Sequence, residues 1–542
     1  MALPGCARAK TFQKEPPVQE SASLRRLRQV FARIPETLDR NHKTFAESSG
    51  PVSGFGAGQT YPQIWLRDSA WIVDAAAAYY PPETLTSWLD LHLANASADG
   101  RLRDWVAKGS ANAFREWAPR AASQGDIAFD TNSNESDQEP SAALALCRVE
   151  RLIGGSTSSA GGDARATRTL KAIAAMNALV RARTDLRTGL IWSGLTADWG
   201  DVSPLYPDQR AIYLDALTPR TLSLYSNVMA YGALACLSAL DGPKARQEAL
   251  SRRAAKLRDA IRSVFWMQDL GAFRIRRALD PEPRGFSDDD DRFALGGNAL
   301  AVLFGVADDN QASAIFELAE RLRVAQNAST VSTTLVPPYP SGVFQHPAMR
   351  EPFQYQNGGQ WDWFGAALIQ AEFERGHAVP ARVHLHQMVS RILRAGPGIH
   401  EWYDREGLPQ GSAAYAASAA SIHNAVVTGL MGVSRELDGY HIVLRSGETL
   451  LPFDIPQTAT GGRLVLSQTV TEGAIEVNVS AHGSTRVTEV CSVTPPGTTP
   501  QILAAPVMAL PQTIRKNGQD LLICADTSAS PQTIRVRFGI AR

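Results

Sequence analysis

Cysteine is scarce in this chain, and so are long apolar runs and any excess of one charge. The five cysteines among 542 residues (Cys6, Cys147, Cys236, Cys491, Cys524) show none of the close spacings that a zinc site or a CxxC redox centre demands. They read as ordinary thiols. Cys491 and Cys524 share the C-terminal region and could pair in an oxidising compartment, a question their spacing leaves open. Basic and acidic residues balance at 54 each, with no basic block or stripe, which argues against a nucleic-acid or anionic-membrane partner. The 44% of hydrophobic residues are dispersed rather than massed, so no membrane span is expected and a globular core is.

What is present is enough chain for one large domain and a smaller one. Residues 1–22 are polar and proline-containing and read as a disordered lead-in. Within them, Leu3-Pro4-Gly5-Cys6 looks like the tail of a bacterial lipoprotein signal without the apolar segment that should precede it. The chain as it stands reads as cytoplasmic; a missing upstream signal would make it periplasmic or lipoprotein-anchored.

From Ser23, the positions Leu24, Leu27, Val30, Phe31 and Ile34 fall on one helical face, and the helix is expected to end before Pro35. Trp65-Leu66-Arg67-Asp68-Ser69 opens an alanine-rich helix. Further helices are expected near 138–153, 164–182, 218–240, 244–266, 293–306, 310–324, 358–376, 379–394 and 412–432, joined by long loops rich in Gly, Pro, Asp and Trp. This is the rhythm of stacked helical hairpins over residues 23–435. Near residue 436 the texture changes to alternation, as in Leu464, Leu466, Gln468, Val470 and Ile475, Val477, Val479, which predicts a β-sandwich over 436–542 with a last strand from Thr533 to Phe538.

Five stretches carry chemistry. Glu401, between His400 and the rings Trp402 and Tyr403 and just ahead of the small-residue run 411–420, reads as a catalytic base. In Trp65-Leu66-Arg67-Asp68, an Arg-Asp pair beside an indole suits two charge-assisted hydrogen bonds to adjacent sugar hydroxyls; a buried structural ion pair is an equal reading. The stretch 130–141 holds Asn132, Asn134, Glu135, Asp137, Gln138 and Glu139, more polar capacity than a helix cap uses, without the histidines or spacing of a metal loop. Residues 189–204 bring Trp192, Asp198, Trp199 and Asp201 together, and burial against indole raises a carboxyl pKa as a general acid requires. Finally, Tyr355-Gln356-Asn357-Gly358-Gly359-Gln360-Trp361-Asp362-Trp363-Phe364 combines amides and rings with glycines that let the backbone approach a ligand.

In order and spacing over residues 55–435, these motifs resemble those of (α/α)6-barrel glycoside hydrolases. The resemblance is to the glucosidase part of glycogen-debranching enzymes, the processing α-glucosidase and mannosylglycerate hydrolase group, neutral invertases and exo-α-1,6-mannosidases. It implies a mainly α fold, a six-hairpin (α/α)6 barrel followed by the β-sandwich, and an inverting glycosidase without cofactor or metal. Trp199-Gly200-Asp201, followed by Thr218-Pro219-Arg220, is similar to the debranching-type stretch whose Asp is the general acid, so Asp201 is preferred over Asp198. Glu401-Trp402-Tyr403 is similar to the region of the family's base. Trp65, Arg67, Asp68, Asp137, Glu139, Trp192, Asp198, Trp199, Asn357, Gly358, Gln360, Trp361, Trp402 and Tyr403 are the expected carbohydrate contacts. The resemblance favours an α-glucoside over an α-mannoside. Rival readings are a phosphorylase, a polysaccharide lyase, and a sugar epimerase working with a histidine pair drawn from His346, His400 and His423. Oligomeric state is left open.

Overall fold

The computed structural model describes residues 20–47, 50–153, 159–283, 285–286, 292–435, 439–483, 485–502, 510–527 and 533–541. The lead-in expected over residues 1–22 therefore lies largely outside the described residues.

Thirteen α-helices follow in chain order among these residues: α1 Ala22–Phe31, α2 Ile34–Asn41, α3 Leu66–Tyr79, α4 Pro82–Ala94, α5 Gln138–Ile153, α6 Ser159–Arg183, α7 Leu224–Ala239, α8 Lys244–Phe265, α9 Leu295–Leu303, α10 Asp309–Ala325, α11 Asp362–Glu374, α12 Ala378–Ala395 and α13 Ala416–Asn424. Six of them, α3, α5, α7, α9, α11 and α13, contact one another in that order, and α13 returns to α3 to close a ring. The remaining helices pack outside this ring, so the helical part is an (α/α)6 barrel.

Composition explains which helix goes where. Inner helices are apolar around their circumference and rich in small residues: Ala75, Ala76, Ala77 and Ala78 in α3 and Ala416, Ala417, Ala419 and Ala420 in α13 are all buried. Outer helices are amphipathic. In α8 the buried residues are Leu250, Ala254, Leu257, Ile261 and Phe265, a single stripe on an otherwise charged helix.

Three expectations need correction. The first helix does not run to Ile34: α1 stops at Phe31, and Pro35 sits in the first turn of α2, where a missing N–H costs nothing. Helix α4 was not expected at all. The last inner helix is α-helical only to Asn424 and continues as a π-helix over Ala425–Leu430.

The C-terminal part is two five-stranded sheets. One has the strand order Val433–Arg435, Tyr440–Leu444, Val487–Val493, Asp520–Asp526, Gln512–Asn517; the other Leu450–Gln457, Gly462–Val470, Ala474–His482, Thr533–Ala541, Thr499–Gln501. Pairing is antiparallel except between Tyr440–Leu444 and Val487–Val493, which run parallel. The alternating residues Leu464, Leu466, Ile475, Val477 and Val479 are buried as expected. Gln468 is buried with them, donating to Ser446 and accepting from Ser492.

This sandwich covers the C-terminal ends of the inner helices, where the last carbonyls have no helical partner. Thr458 donates to Ala78 O of α3 (2.7 Å), Asn517 to Glu374 O of α11 (3.1 Å), Arg445 to Gly429 O of the π-helix (2.6 Å), and Arg435 to Leu152 O of α5. A cavity of about 400 Å³ remains between the two parts, lined by groups including Asp74, Arg148, Glu374 and His423.

Cys147 and Cys236 differ from the ordinary thiols expected, and the question left open for Cys491 and Cys524 is answered by a bond between them. Cys147 on α5 and Cys236 on α7 are joined in a disulfide, with Cα atoms 6.1 Å apart. They are 89 residues apart in sequence, and the packing of α5 against α7 as consecutive inner helices makes them neighbours. Cys491 and Cys524 face each other across paired strands and are also joined. Among the described residues, no helix is long and apolar enough to cross a membrane.

Candidate active site

A cavity of about 600 Å³ opens at the opposite, N-terminal end of the inner helices. Its wall includes Arg67 and Asp68 from the first turn of α3, Trp361 and Trp363 from the start of α11, and Tyr415, the N-cap position of α13. Loops supply Tyr61, Asp201, Tyr355 and Glu401, and the strand Trp105–Lys108 with its flank supplies Asp104 and Trp105. The converging helix N-termini place positive dipole ends around a cluster of acids.

Glu401 is held from both sides. Its backbone N–H donates to Ser412 O (2.9 Å), while Ser412 N–H (2.9 Å) and the Tyr61 hydroxyl (3.3 Å) donate to its Oε2. Burial pushes its pKa up to about 7, against those two hydrogen bonds, and the charges of Asp68 and Asp201 act in the same direction as burial. Gly411 makes this possible. Its φ is +67°, and a Cβ there would lie 2.5 Å from Glu401 Oε2.

Asp201, 200 residues earlier in the chain, lines the same cavity. Arg67 Nη1 donates to its Oδ1 (2.7 Å) and Gln356 Nε2 to its Oδ2 (2.9 Å). Its backbone is fixed by Gln356 and Asn132: the N–H donates to Gln356 Oε1 (3.0 Å), and the carbonyl accepts from Asn132 Nδ2 (3.1 Å). Trp199 packs edge-on against Trp361 with ring centroids 4.7 Å apart, so the Asp201 turn leans on the aromatic start of α11.

The expected Arg67–Asp68 pair takes a different form. Arg67 donates through Nε to Asp137 (2.5 Å) and through Nη1 to Asp201, whereas Asp68 accepts from the Tyr415 hydroxyl (2.9 Å). Arg67 is thus a clamp between Asp137 and Asp201. Asp68 is buried, and burial raises its pKa to about 6.

Of the expected contacts, Trp65, Arg67, Asp68, Trp199 and Trp361 line the cavity with Asp201 and Glu401; the other nine do not. Asp137 is buried behind Arg67 and also accepts from Tyr225 (3.0 Å). Glu139 pairs with Arg101 (2.5 Å). Trp192 lies beneath the guanidinium groups of Arg183 and Arg220. Asp198 points away, accepting from Gly297 N–H (3.2 Å) at the N-terminus of α9, and burial lifts its pKa to about 7.

Asn357 ties Tyr339 N–H and O into a loop, with Gly358 beside it at φ +91°. Gln360 accepts from Ser329 and Thr330 and donates to Asp404 O. Trp402 packs near Tyr355, and Tyr403 is buried under Arg391, 3.8 Å from its ring centroid. These residues shape the loops from behind, which explains why motif reading could not separate them from true lining.

Tyr61, Gln63, Asp104, Trp105, Trp117 and Tyr415 line the cavity without having been assigned a role from sequence, and Asp130 and Tyr355, the end residues of two of the singled-out stretches, line it as well. The signal was there for some of them: Arg103-Asp104-Trp105 and Arg115-Glu116-Trp117 interrupt the apolar pattern much as Trp65-Leu66-Arg67-Asp68 does. Of the three histidines considered for an epimerase, His346 lines this cavity, His400 packs on Tyr403, and His423 lines the cavity at the far end. No histidine pair is brought together among them.

The fold that carries this geometry is shared with glycoside hydrolases. A GH63 mannosylglycerate hydrolase from Thermus thermophilus, solved in complex with glucose, matches at a TM-score of 0.53 and 17% identity, covering 72% of this chain and 98% of that one. A GH78 family rhamnosidase of Bacillus sp. GL1 matches at a TM-score of 0.56 and 18% identity over 87% of this chain and 42% of that one. The α-L-rhamnosidase of Streptomyces avermitilis, complexed with L-rhamnose, matches at 0.54 and 12% over 96% and 41%. No family model matches the chain, and no curated protein does.

Proposed function

We propose that the protein is an inverting glycoside hydrolase acting on an α-linked glycoside, with Asp201 as general acid and Glu401 as general base. One observation carries the reading: two carboxyls 200 residues apart in sequence meet on the wall of one aromatic-lined cavity at the mouth of a barrel whose fold is shared with glycosidases. Inversion uses two carboxyls on opposite faces of the sugar, one protonating the glycosidic oxygen and the other drawing a proton from the attacking water. Tyr61 and Ser412 fix the orientation of Glu401, and Gln356 and Arg67 that of Asp201.

The half-buried rings of Trp65 and Trp117, 6.3 Å apart between centroids and packed on the buried Trp105, offer an apolar surface for a pyranose face. The motif around Asp201 favours an α-glucoside, with an α-mannoside as the alternative within the same chemistry.

Screening α-linked disaccharides and nitrophenyl glycosides for released sugar tests the activity. On the substrate so found, Glu401→Gln and Asp201→Asn are each expected to lose roughly a hundredfold to ten-thousandfold in turnover. Near-normal activity of either variant would remove that residue from its role. Proton NMR of the first sugar released should show the anomer opposite to the substrate's; retention would refute the stereochemistry.

A further inference from the structure

Among the described residues five carboxyls face the cavity, and four are engaged: Asp68 by Tyr415, Asp130 by Tyr213 and Thr131 N–H, Asp201 by Arg67 and Gln356, and Glu401 by Ser412 N–H and Tyr61. The fifth is Asp104. It is 4% exposed, and no described residue hydrogen-bonds or ion-pairs with its side chain.

Its backbone, by contrast, is fixed on both sides. The N–H donates to Asp130 O (2.9 Å), and the carbonyl accepts from Leu66 N–H (2.8 Å), immediately before Arg67 and Asp68. A rigid ladder therefore presents this carboxyl into the cavity between two other stretches of wall. Burying such a group without a partner is unfavourable, and a ligand hydroxyl is the partner that would offset it.

The charge balance narrows the ligand further. Arg67 is the one Lys or Arg among the described lining residues, and it already serves Asp137 and Asp201. Burial pushes the His346 pKa down, which leaves the ring neutral. A carboxylate or phosphate on the sugar would meet acids and no uncommitted cation.

We propose that Asp104 is a specificity-determining residue that reads a ring hydroxyl of the bound sugar, and that the cavity accepts a neutral glycone and rejects a uronate or sugar phosphate. This rests on the reading of the cavity as a sugar site. Burial, opposed by Arg67 and reinforced by Asp137, Asp201 and Asp68, holds the Asp104 carboxyl well above the usual carboxylate range. A carboxyl accepts from a sugar hydroxyl and, when protonated, can also donate to one.

Calorimetric titration of the full chain with D-glucose, D-mannose, D-glucuronate and D-mannuronate tests both halves, repeated with Asp104→Ala and Asp104→Asn proteins whose thermal melts match the parent's. At least one neutral sugar should bind, its uronate at least tenfold more weakly. Asp104→Ala should weaken the neutral sugar by about tenfold to a hundredfold, and the closer mimic Asp104→Asn by less. Among monodeoxy forms of that sugar, one should bind the parent protein as weakly as the intact sugar binds Asp104→Ala, and lose nothing more in the variant. If both variants bind as tightly as the parent, or every deoxy form loses equally in the variant, the role of Asp104 is overturned while the glycosidase reading stands. A uronate bound as well as its neutral sugar overturns the selection for charge. Failure of every sugar to bind, together with failure to hydrolyse any glycoside, overturns both readings.

Discussion

At the scale of single residues, the site is governed by how far burial is offset at each carboxyl. Glu401 is the clearest instance, since desolvation raises it while Tyr61 and Ser412 stabilise its charged form. In its proposed role as base Glu401 must be ionised, so kcat/KM on the substrate found by screening is expected to fall as pH drops through about 7. Tyr61→Phe removes one donor to the carboxylate and should move that acid limb upward by roughly 0.5–1 pH. A limb unchanged in Tyr61→Phe would show that this hydroxyl does not tune the base.

Asp198 is the contrasting case. Its folded-state pKa of about 7 lies above the ordinary value near 3.8, so its contribution to stability is complete at low pH and is lost as pH rises through about 7. Asp198→Asn is therefore expected to retain activity and to gain in melting temperature relative to the parent protein between pH 5 and pH 8. Loss of activity like that of Asp201→Asn would reverse the preference between the two acids. Sequence alone left these two open, because both flank Trp199; what separates them is the backbone, which turns Asp198 into the N-terminus of α9 and Asp201 into the cavity.

At the scale of elements, the helices were legible because apolar residues recur at helical spacing in inner and outer members alike, and the last strand because alternation persists to its end. Helix α4 escaped notice. Its Pro82 start and the polar Glu83, Thr84 and Thr86 blur a stripe that Leu85, Trp88, Leu89 and Leu93 nonetheless bury. Pairing of Cys147 with Cys236 was invisible for a different reason, since it depends on which helices become neighbours. The loops were half legible: amide- and tryptophan-rich motifs marked the right turns without showing which side chains face inward.

One loop position permits a sharp test. Gly411→Ala imposes a side chain at φ +67° and against Glu401, so a stability loss of about 1–3 kcal/mol and at least a tenfold drop in kcat are expected. Wild-type turnover in that variant would mean that the Glu401 carboxylate tolerates displacement.

At the scale of the whole molecule, the two ends of the barrel have different tasks. One gathers acids and aromatic rings; the other hands its unpaired helix carbonyls to the sandwich. A chain ending at residue 432 loses the donors Thr458, Asn517, Arg445 and Arg435 at once and uncovers the C-terminal ends of four inner elements. It is expected to aggregate or to melt without a cooperative transition, as size-exclusion chromatography and calorimetry would show. A truncated chain as stable as the full one would confine the sandwich to some other task.

The closed ring has a further consequence. Because the cavity wall is assembled from side chains that enter from separate hairpins, no fragment of the barrel carries the proposed centre whole, and loosening one hairpin is expected to disable turnover while the others keep their helical signal. On gradual warming, catalysis should therefore vanish several degrees before the far-ultraviolet circular dichroism changes, making activity the more sensitive gauge of an intact barrel.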